Sequence, residues 1–370
     1  MIPLNHDLEP LQRSGIRLYT NMAKEVPGCI LLTLGEPDFP TPQPIRDAAA
    51  AAMEAGLTHY APNQGYLPLR QAIAAYEGVE EDSVLITVGA TGALYTALTG
   101  ILNPGDEVIV PQPAFSLYET IVTAAGAKTV KLDTRKDGFQ ITPAALASVL
   151  SEKTKAIVIN SPNNPTGAVY SRESLDAVKQ AVLGKDIFLI CDDVYDRLSY
   201  DDCPNLSRDE DLRPQILLCQ SFSKPWSMTG WRVGYLVAPK EILLRLLLLH
   251  AAEVAAVPTF LQAACVTALQ TDVTEMREEY RRRRDFVVAR LKKMGLTCPR
   301  PAGAFYAFAD ISKFGLSSDE FCTRLIKEAG VATVPGSCFG AEGFLRISYC
   351  CAMEDLAEGL DRLENFLRKL

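Results

Sequence analysis

The stretch QILLCQSFSKPWSMTGWR, Gln215 to Arg232, joins a short run that is apolar on consecutive positions to a turn-rich segment carrying Lys224 and Arg232. A strand that is apolar without alternation is one buried on both faces, as in a helix-covered parallel sheet. Six further strand-like runs follow, most of them of this character: VLITVG from Val84, EVIVPQP from Glu107, KTVKL from Lys128, KAIVIN from Lys155, IFLICDD from Ile187 and VGYLVAP from Val233. Helical patterns such as ATGALYTALTGIL and SRESLDAVKQAVL lie between many of them. This alternation predicts an α/β fold with a mainly parallel seven-stranded sheet covered by helices. Past about residue 270 the pattern changes to a long charged helix, TEMREEYRRRRDFVVARLKKMG, followed by GAFYAFADI, VATVPGS and FLRISYC. The expected organisation is therefore a large α/β domain over residues 40–275 and a smaller α+β domain built from residues 1–39 and 276–370.

The 370 residues are ample for a sizeable core, and 48% hydrophobic with 22% charged residues is ordinary globular composition. A net charge of −8 without a basic stripe argues against a nucleic-acid partner, and the run Arg281 to Arg284, placed after EMREEY, reads as a solvated helix face. The ten cysteines are scattered, show no CxxC spacing and sit mostly in apolar runs (Cys191, Cys219, Cys265), which points to reduced, buried thiols and a cytoplasmic location. The three histidines lack i, i+4 spacing, so no metal site is expected. The opening MIPLNHDLEP lacks the pattern of a signal peptide. The segment LLRLLLLHAAEVAAVPTF is interrupted by Arg245, His250, Glu253 and Pro258, and reads as a buried or interface helix rather than a membrane span.

In open α/β sheets, ligands bind beyond the carboxyl ends of the strands. The segments that leave the ends of five of the apolar runs therefore hold the candidate site residues: GATGAL, PQPAF, NSPNNPTG, DDVYD and QSFSK. Gly89 and Gly92 flank Ala90 and Thr91 at a helix start, where free amides and the helix dipole favour a phosphate; alone, such a turn is ordinary punctuation. Ser221 and Arg232 add a hydroxyl and a guanidinium fork for the same anion, although a single arginine is commonly a surface charge. Asp192 ends an apolar strand, where an unpaired carboxylate is costly, so either a cationic partner or a helix cap is expected. Tyr195 brings a phenol to the same place. Asn164 offers an amide or is simply part of a turn, and Phe115 either stacks on an aromatic ligand or packs in the core. Lys224, at a strand end near Arg232, is expected to have a depressed pKa that makes its amine nucleophilic. Together these residues describe a pocket for something aromatic, anionic and reactive toward amines.

The motifs resemble those of the class I/II aminotransferases, pyridoxal-phosphate enzymes of fold type I. SFSKPWSMTGWR is similar to their S-x-S-K-x(7)-R segment, NNPTG to their N-P-T-G turn and CDDVY to their D-x-x-Y pair. GEPDFPTP from Gly35, HYAPNQGYLPLR, GAFYAFADI and LRISY extend the likeness, in the family's order, over nearly the whole chain. The resemblance implies that pyridoxal 5'-phosphate is the cofactor and that Lys224 binds it covalently and later carries the proton. Asp192 is implied to hold the ring N–H, Tyr195 and Asn164 the ring 3'-oxygen, and Phe115 to stack on the ring. It assigns the phosphate to Ala90, Thr91, Ser221, Ser223 and Arg232, joined by Tyr60 from a partner subunit in a homodimer with shared sites. Arg346 would clamp the substrate carboxylate, assisted by Gly35 and Asn164.

The segments PNQGYLPLRQA, SMTGWRVGYLVAPK and EAGVATVPGS look most like the branch containing N-acetyl-diaminopimelate aminotransferase, which implies amino transfer from an L-amino acid to a 2-oxo acid such as 2-oxoglutarate. One departure is AAEVAAVPTFLQAA after His250, where the family has a polar stretch before the glutamine matching Gln262; Val257 and Phe260 point to a less acidic substrate. A C–S β-lyase of the same fold is the alternative reading. A ligand-sensing regulator of this fold carries an N-terminal DNA-binding domain, for which residues before Gly35 leave no room.

Overall fold

The computed structural model describes residues 5–9, 11 and 15–370; residues 1–4 and 10, on which the leader reading partly rests, lie outside these. After β1 (Ile30–Leu31), the seven apolar runs form β2 (Val84–Thr87), β3 (Glu107–Gln112), β4 (Lys128–Asp133), β5 (Thr154–Asn160), β6 (Phe188–Asp192), β7 (Ile216–Ser221) and β8 (Gly234–Val237). They make one sheet in the order β2-β8-β7-β6-β5-β3-β4. All its pairings are parallel except those of β8, which runs antiparallel to both β2 and β7. Alternate residues face opposite sides, as the pleat requires. Ile157, Leu189, Cys191 and Leu218 enter one hydrophobic core, while Val158, Ile190, Leu217 and Cys219 enter a second. Burial on both faces explains why these strands are continuously apolar.

β3 has β4 on one side and β5 on the other, so the direction of winding reverses there. That reversal opens a crevice beyond the strand ends, at the place where Phe115 and Asn164 emerge.

A third core gathers residues from early and late in the chain, among them Leu32, Tyr280, Phe305, Tyr306, Ile347 and Leu360. Its strands are β9 (Tyr306–Asp310), β10 (Val331–Ala332), β11 (Val334–Pro335) and β12 (Phe344–Ser348). β11, β12 and β9 form an antiparallel sheet, and β1 pairs in parallel with β10.

The arginine run departs from the expected solvated face. It lies in the helix Thr274–Lys293, and Arg283 and Arg284 are only 5% and 0% exposed. Four consecutive residues sweep about 300° of a helix, so they cannot share one face. Arg283 donates to Asp38 and Glu279, each at 2.8 Å, with its guanidinium 5.3 Å from the Phe39 ring. Arg284 lies 4.6 Å over the Tyr200 ring and donates to the Pro301 carbonyl at 3.1 Å. The leucine-rich segment is two helices, Lys240–Val254 and Thr259–Gln270, parted at Pro258. In the first, Leu243, Leu246 and His250 are buried while Leu244 and Leu248 are exposed. Among the described residues no helix is long and apolar enough to cross a membrane, and no group of three or more His, Cys, Asp or Glu is placed to hold a metal ion. The ten cysteines are all free.

Candidate active site

Beyond the strand ends lies a cavity of about 240 Å³. The residues expected to hold cofactor and substrate line it except Tyr60, which is 92% exposed and outside it; Val257, expected to shape the substrate pocket, is instead buried in the first hydrophobic core, and Phe260 does not border the cavity.

One end of the cavity is built for an anion. The helix Gly89–Ile101 starts there, offering the free amides of its first turn. Gly89 has φ 66°, and a Cβ on it would come within 2.7 Å of Arg232 Nη2. A Cβ on Gly234 would lie 2.5 Å from the Gly89 carbonyl carbon. Only glycine at both positions lets the helix start sit against β8 with the arginine fork beside it. Arg232 itself is left-handed, at φ 56°, a costly conformation for a residue with a Cβ and one that concentrates at functional sites. Its Nη1 donates to the Thr229 carbonyl at 2.9 Å. Ser221 and Ser223 complete this end, their hydroxyls 2.9 Å apart.

Asp192, 4% exposed, also lines the cavity. Its Oδ2 accepts from Tyr118 Oη at 2.5 Å, whereas Oδ1 is buried without a hydrogen-bond partner among the described residues. Burial pushes the carboxyl up to about 6, opposed first by the Tyr118 bond and then by the Val194 N–H and the Lys224 charge. Asn160 and Asp192 are direct neighbours across β5 and β6. The Asn160 side chain donates to the Asp192 carbonyl and accepts the Asn164 N–H, both at 2.8 Å, so one residue fixes two strand ends.

Lys224 lines the same cavity, close enough to Asp192 and to Arg232 to interact with the charge of each. Its Nζ donates to the Gly35 carbonyl at 2.6 Å, and burial pulls its pKa down to about 8. The depression expected from the sequence is present and has the expected cause, removal of the ammonium from water. Opposite, Arg346 is 1% exposed, with Nη1 bonded to Asn164 Oδ1 at 2.9 Å and Nη2 to the Thr33 carbonyl at 2.6 Å. Its guanidinium lies 4.4 Å from the Tyr306 ring and 5.0 Å from Phe339. Tyr195 Oη is 3.0 Å from Tyr306 Oη, and burial raises the Tyr195 phenol well above its ordinary value, keeping it a neutral donor. Gly35 passes so close to Tyr306 that a Cβ would meet its hydroxyl at 2.1 Å. Phe115 borders the cavity with its ring edge-on to Tyr118, centroids 6.1 Å apart.

Tyr118, Tyr306 and Asn160 were missed by sequence reasoning. Tyr118 stands three residues after Phe115, in the first turn of the helix that follows it, and Asn160 directly precedes the SPNNPTG turn. Tyr306 sits within an apolar run and carries no comparable signal.

A buried acceptor lacking a donor, an anion cradle and a deprotonatable amine in one cavity suit a flat heterocycle that bears an N–H, a phosphate and a carbonyl. The comparisons agree with that shape. Residues 27–363 match the family described as Aminotransferase class I and II. The chain is 41% identical to a probable N-acetyl-LL-diaminopimelate aminotransferase of Bacillus subtilis, over 99% of this chain and 96% of that one. It is 39% identical to an aromatic-amino-acid aminotransferase of Thermococcus litoralis, over 99% and 98%. An aspartate aminotransferase structure from Thermus thermophilus with maleate superposes at a TM-score of 0.94, with 35% identity and coverage of 99% and 100%. With its sequence matched from near end to end and its sheet superposed on theirs, the chain belongs to the class I and II aminotransferases and is an aminotransferase.

Proposed function

We propose that this enzyme moves an amino group from an L-amino acid to a 2-oxo acid, with 2-oxoglutarate as acceptor and an N-acylated diaminopimelate among its donors, in two half-reactions on pyridoxal 5'-phosphate. The observation that carries the reading is the orphaned Asp192 Oδ1, an acceptor that the ring N–H of this cofactor would satisfy. When bound, the cofactor supplies an electron sink for the substrate α-carbon.

The chain's own residues do the rest. The helix-start amides of Ala90 and Thr91, with Ser221, Ser223 and Arg232, hold the phosphate. Asn164 and Tyr195 bond the ring oxygen, and Phe115 covers the ring face. Lys224 holds the cofactor through its amine and, once freed, moves the proton taken from the substrate α-carbon; a pKa near 8 suits it to both tasks. Arg346, with Gly35 and Asn164, orients the substrate carboxylate so that the α-carbon faces Nζ.

Tyr60 supports a homodimer with shared sites: it is out of reach of its own cavity, on a loop that Asn63 and Thr259 tie to residues 255–259, and it would reach the partner's phosphate. In this reading residues 40–275 are the cofactor domain and residues 1–39 with 276–370 the second domain, and the ten free thiols fit a cytoplasmic location.

The test is a donor screen against 2-oxoglutarate with an N-acylated diaminopimelate included. Donor alone should bleach the visible band of the bound cofactor, and 2-oxo acid alone should restore it. Release of pyruvate and ammonia, with sulfide from cysteine or homocysteine from cystathionine, without any 2-oxo acid would replace this reading with a β-lyase.

A further inference from the structure

Asp192 has two oxygens with different fates. Oδ2 is taken by Tyr118, and Oδ1 is left buried and free at the cavity. A carboxylate torsion is broad and roughly two-fold, so nothing intrinsic to the side chain decides which oxygen points where. Tyr118 decides it. Its ring is 2% exposed, at the start of the helix Leu117–Ala124, and the perpendicular Phe115 ring beside it limits its tilt.

We propose that Tyr118 is a positioning residue for the cofactor: its phenol locks the Asp192 carboxylate so that Oδ1 alone faces the ring nitrogen, as an acceptor. The inference rests on the function proposed above and assigns to Tyr118 what no reading of the motifs assigns. Two further facts support it. Burial lifts the phenol well above its ordinary pKa, so Tyr118 stays protonated and can only donate to this carboxylate. The same burial already lifts Asp192 to about 6, and the Tyr118 bond is the first influence opposing that rise. Without the phenol, the shared proton would be drawn from the ring nitrogen toward the carboxylate, and the electron sink would weaken.

The experiment loads wild-type protein and Tyr118→Phe with ¹⁵N-labelled pyridoxal phosphate, then measures the ring-nitrogen chemical shift, the cofactor dissociation constant and the melting temperature. Wild type should show a protonated ring nitrogen. Tyr118→Phe should keep the fold, move the shift toward the unprotonated value and bind the cofactor about 10- to 100-fold more weakly, as expected for losing a hydrogen bond to a charged group. Placing 4-aminophenylalanine at position 118 restores a donor at nearly the same size, and should return both readings to within about threefold of wild type. Should Tyr118→Phe not fold, 4-fluorophenylalanine, matched to tyrosine in size and lacking the donor, takes its place. An unchanged shift in the donor-less variant would overturn the proposal, as would equal loss in the donor-less and amino variants, because packing alone would then explain Tyr118. A wild-type protein that takes up no pyridoxal phosphate would instead remove the proposed function itself.

Discussion

Replacing Arg346 by lysine keeps one positive charge and removes the planar fork, which makes it a sharp probe of substrate binding. Both terminal nitrogens of the guanidinium are held, while Nε is buried without a partner among the described residues. Nη1 is bonded to Asn164, Nη2 to the Thr33 carbonyl, and the plane lies against the Tyr306 and Phe339 rings. A substrate carboxylate therefore meets a donor pair whose orientation is already set. Lysine would retain the charge and lose one of two charge-assisted bonds, about 1.5–3 kcal/mol, or roughly 10- to 150-fold in kcat/KM. Arg346→Ala loses both, with a drop on the order of 10²- to 10⁴-fold and most of the change in KM. The assay compares kcat/KM for donors with acidic, aromatic and aliphatic side chains, with the visible spectrum of the bound cofactor as a control for an intact site. All donors should fall by a similar factor, since the α-carboxylate is what they share. A loss confined to one donor, or below about threefold for all, would refute the assignment.

Lys224→Ala should abolish turnover yet retain pyridoxal phosphate through the phosphate cradle, which equilibrium dialysis would show; full turnover would exclude Lys224 from its role. Mixing Lys224→Ala with Tyr60→Ala subunits should recover up to about a quarter of wild-type activity, because half the dimers would then hold one complete site; no recovery in verified mixed dimers would count against shared sites. Burial raises the Asp193 carboxyl to about 7, beside Asp196 and Glu77, so its folded value exceeds the roughly 3.9 of an unfolded chain. The native state thus binds this proton more tightly, and the stability it contributes is present at low pH and lost as pH rises through 7. Melting temperature should fall from about pH 4 to about pH 7 and level off above that, and Asp193→Asn, which still accepts from Asn205, should flatten that slope.

Much of the site was legible because the fold places chemistry at strand ends, and strand ends are readable from local pattern. Asp192, Asn164, Ser221 and Lys224 each stand at or just past the end of an apolar run, so finding the run finds the residue. Tyr118 and Tyr306 were not legible, because each reaches the site from inside an element whose facing is fixed only when the helix docks or the sheet forms. The buried arginines failed for a related reason: composition marks a charged run as solvated, while Arg284 is sealed under Tyr200 by a contact that brings distant segments together. Tyr60, 92% exposed in its own chain, is the converse, a residue whose proposed task has no structural counterpart within one chain.

Covalent capture of the cofactor is the most direct measurement. Holoenzyme reduced with borohydride and digested should yield one peptide carrying a phosphopyridoxyl group, with the modification on Lys224. Modification of another lysine, or none in protein that has taken up the cofactor, would contradict the account.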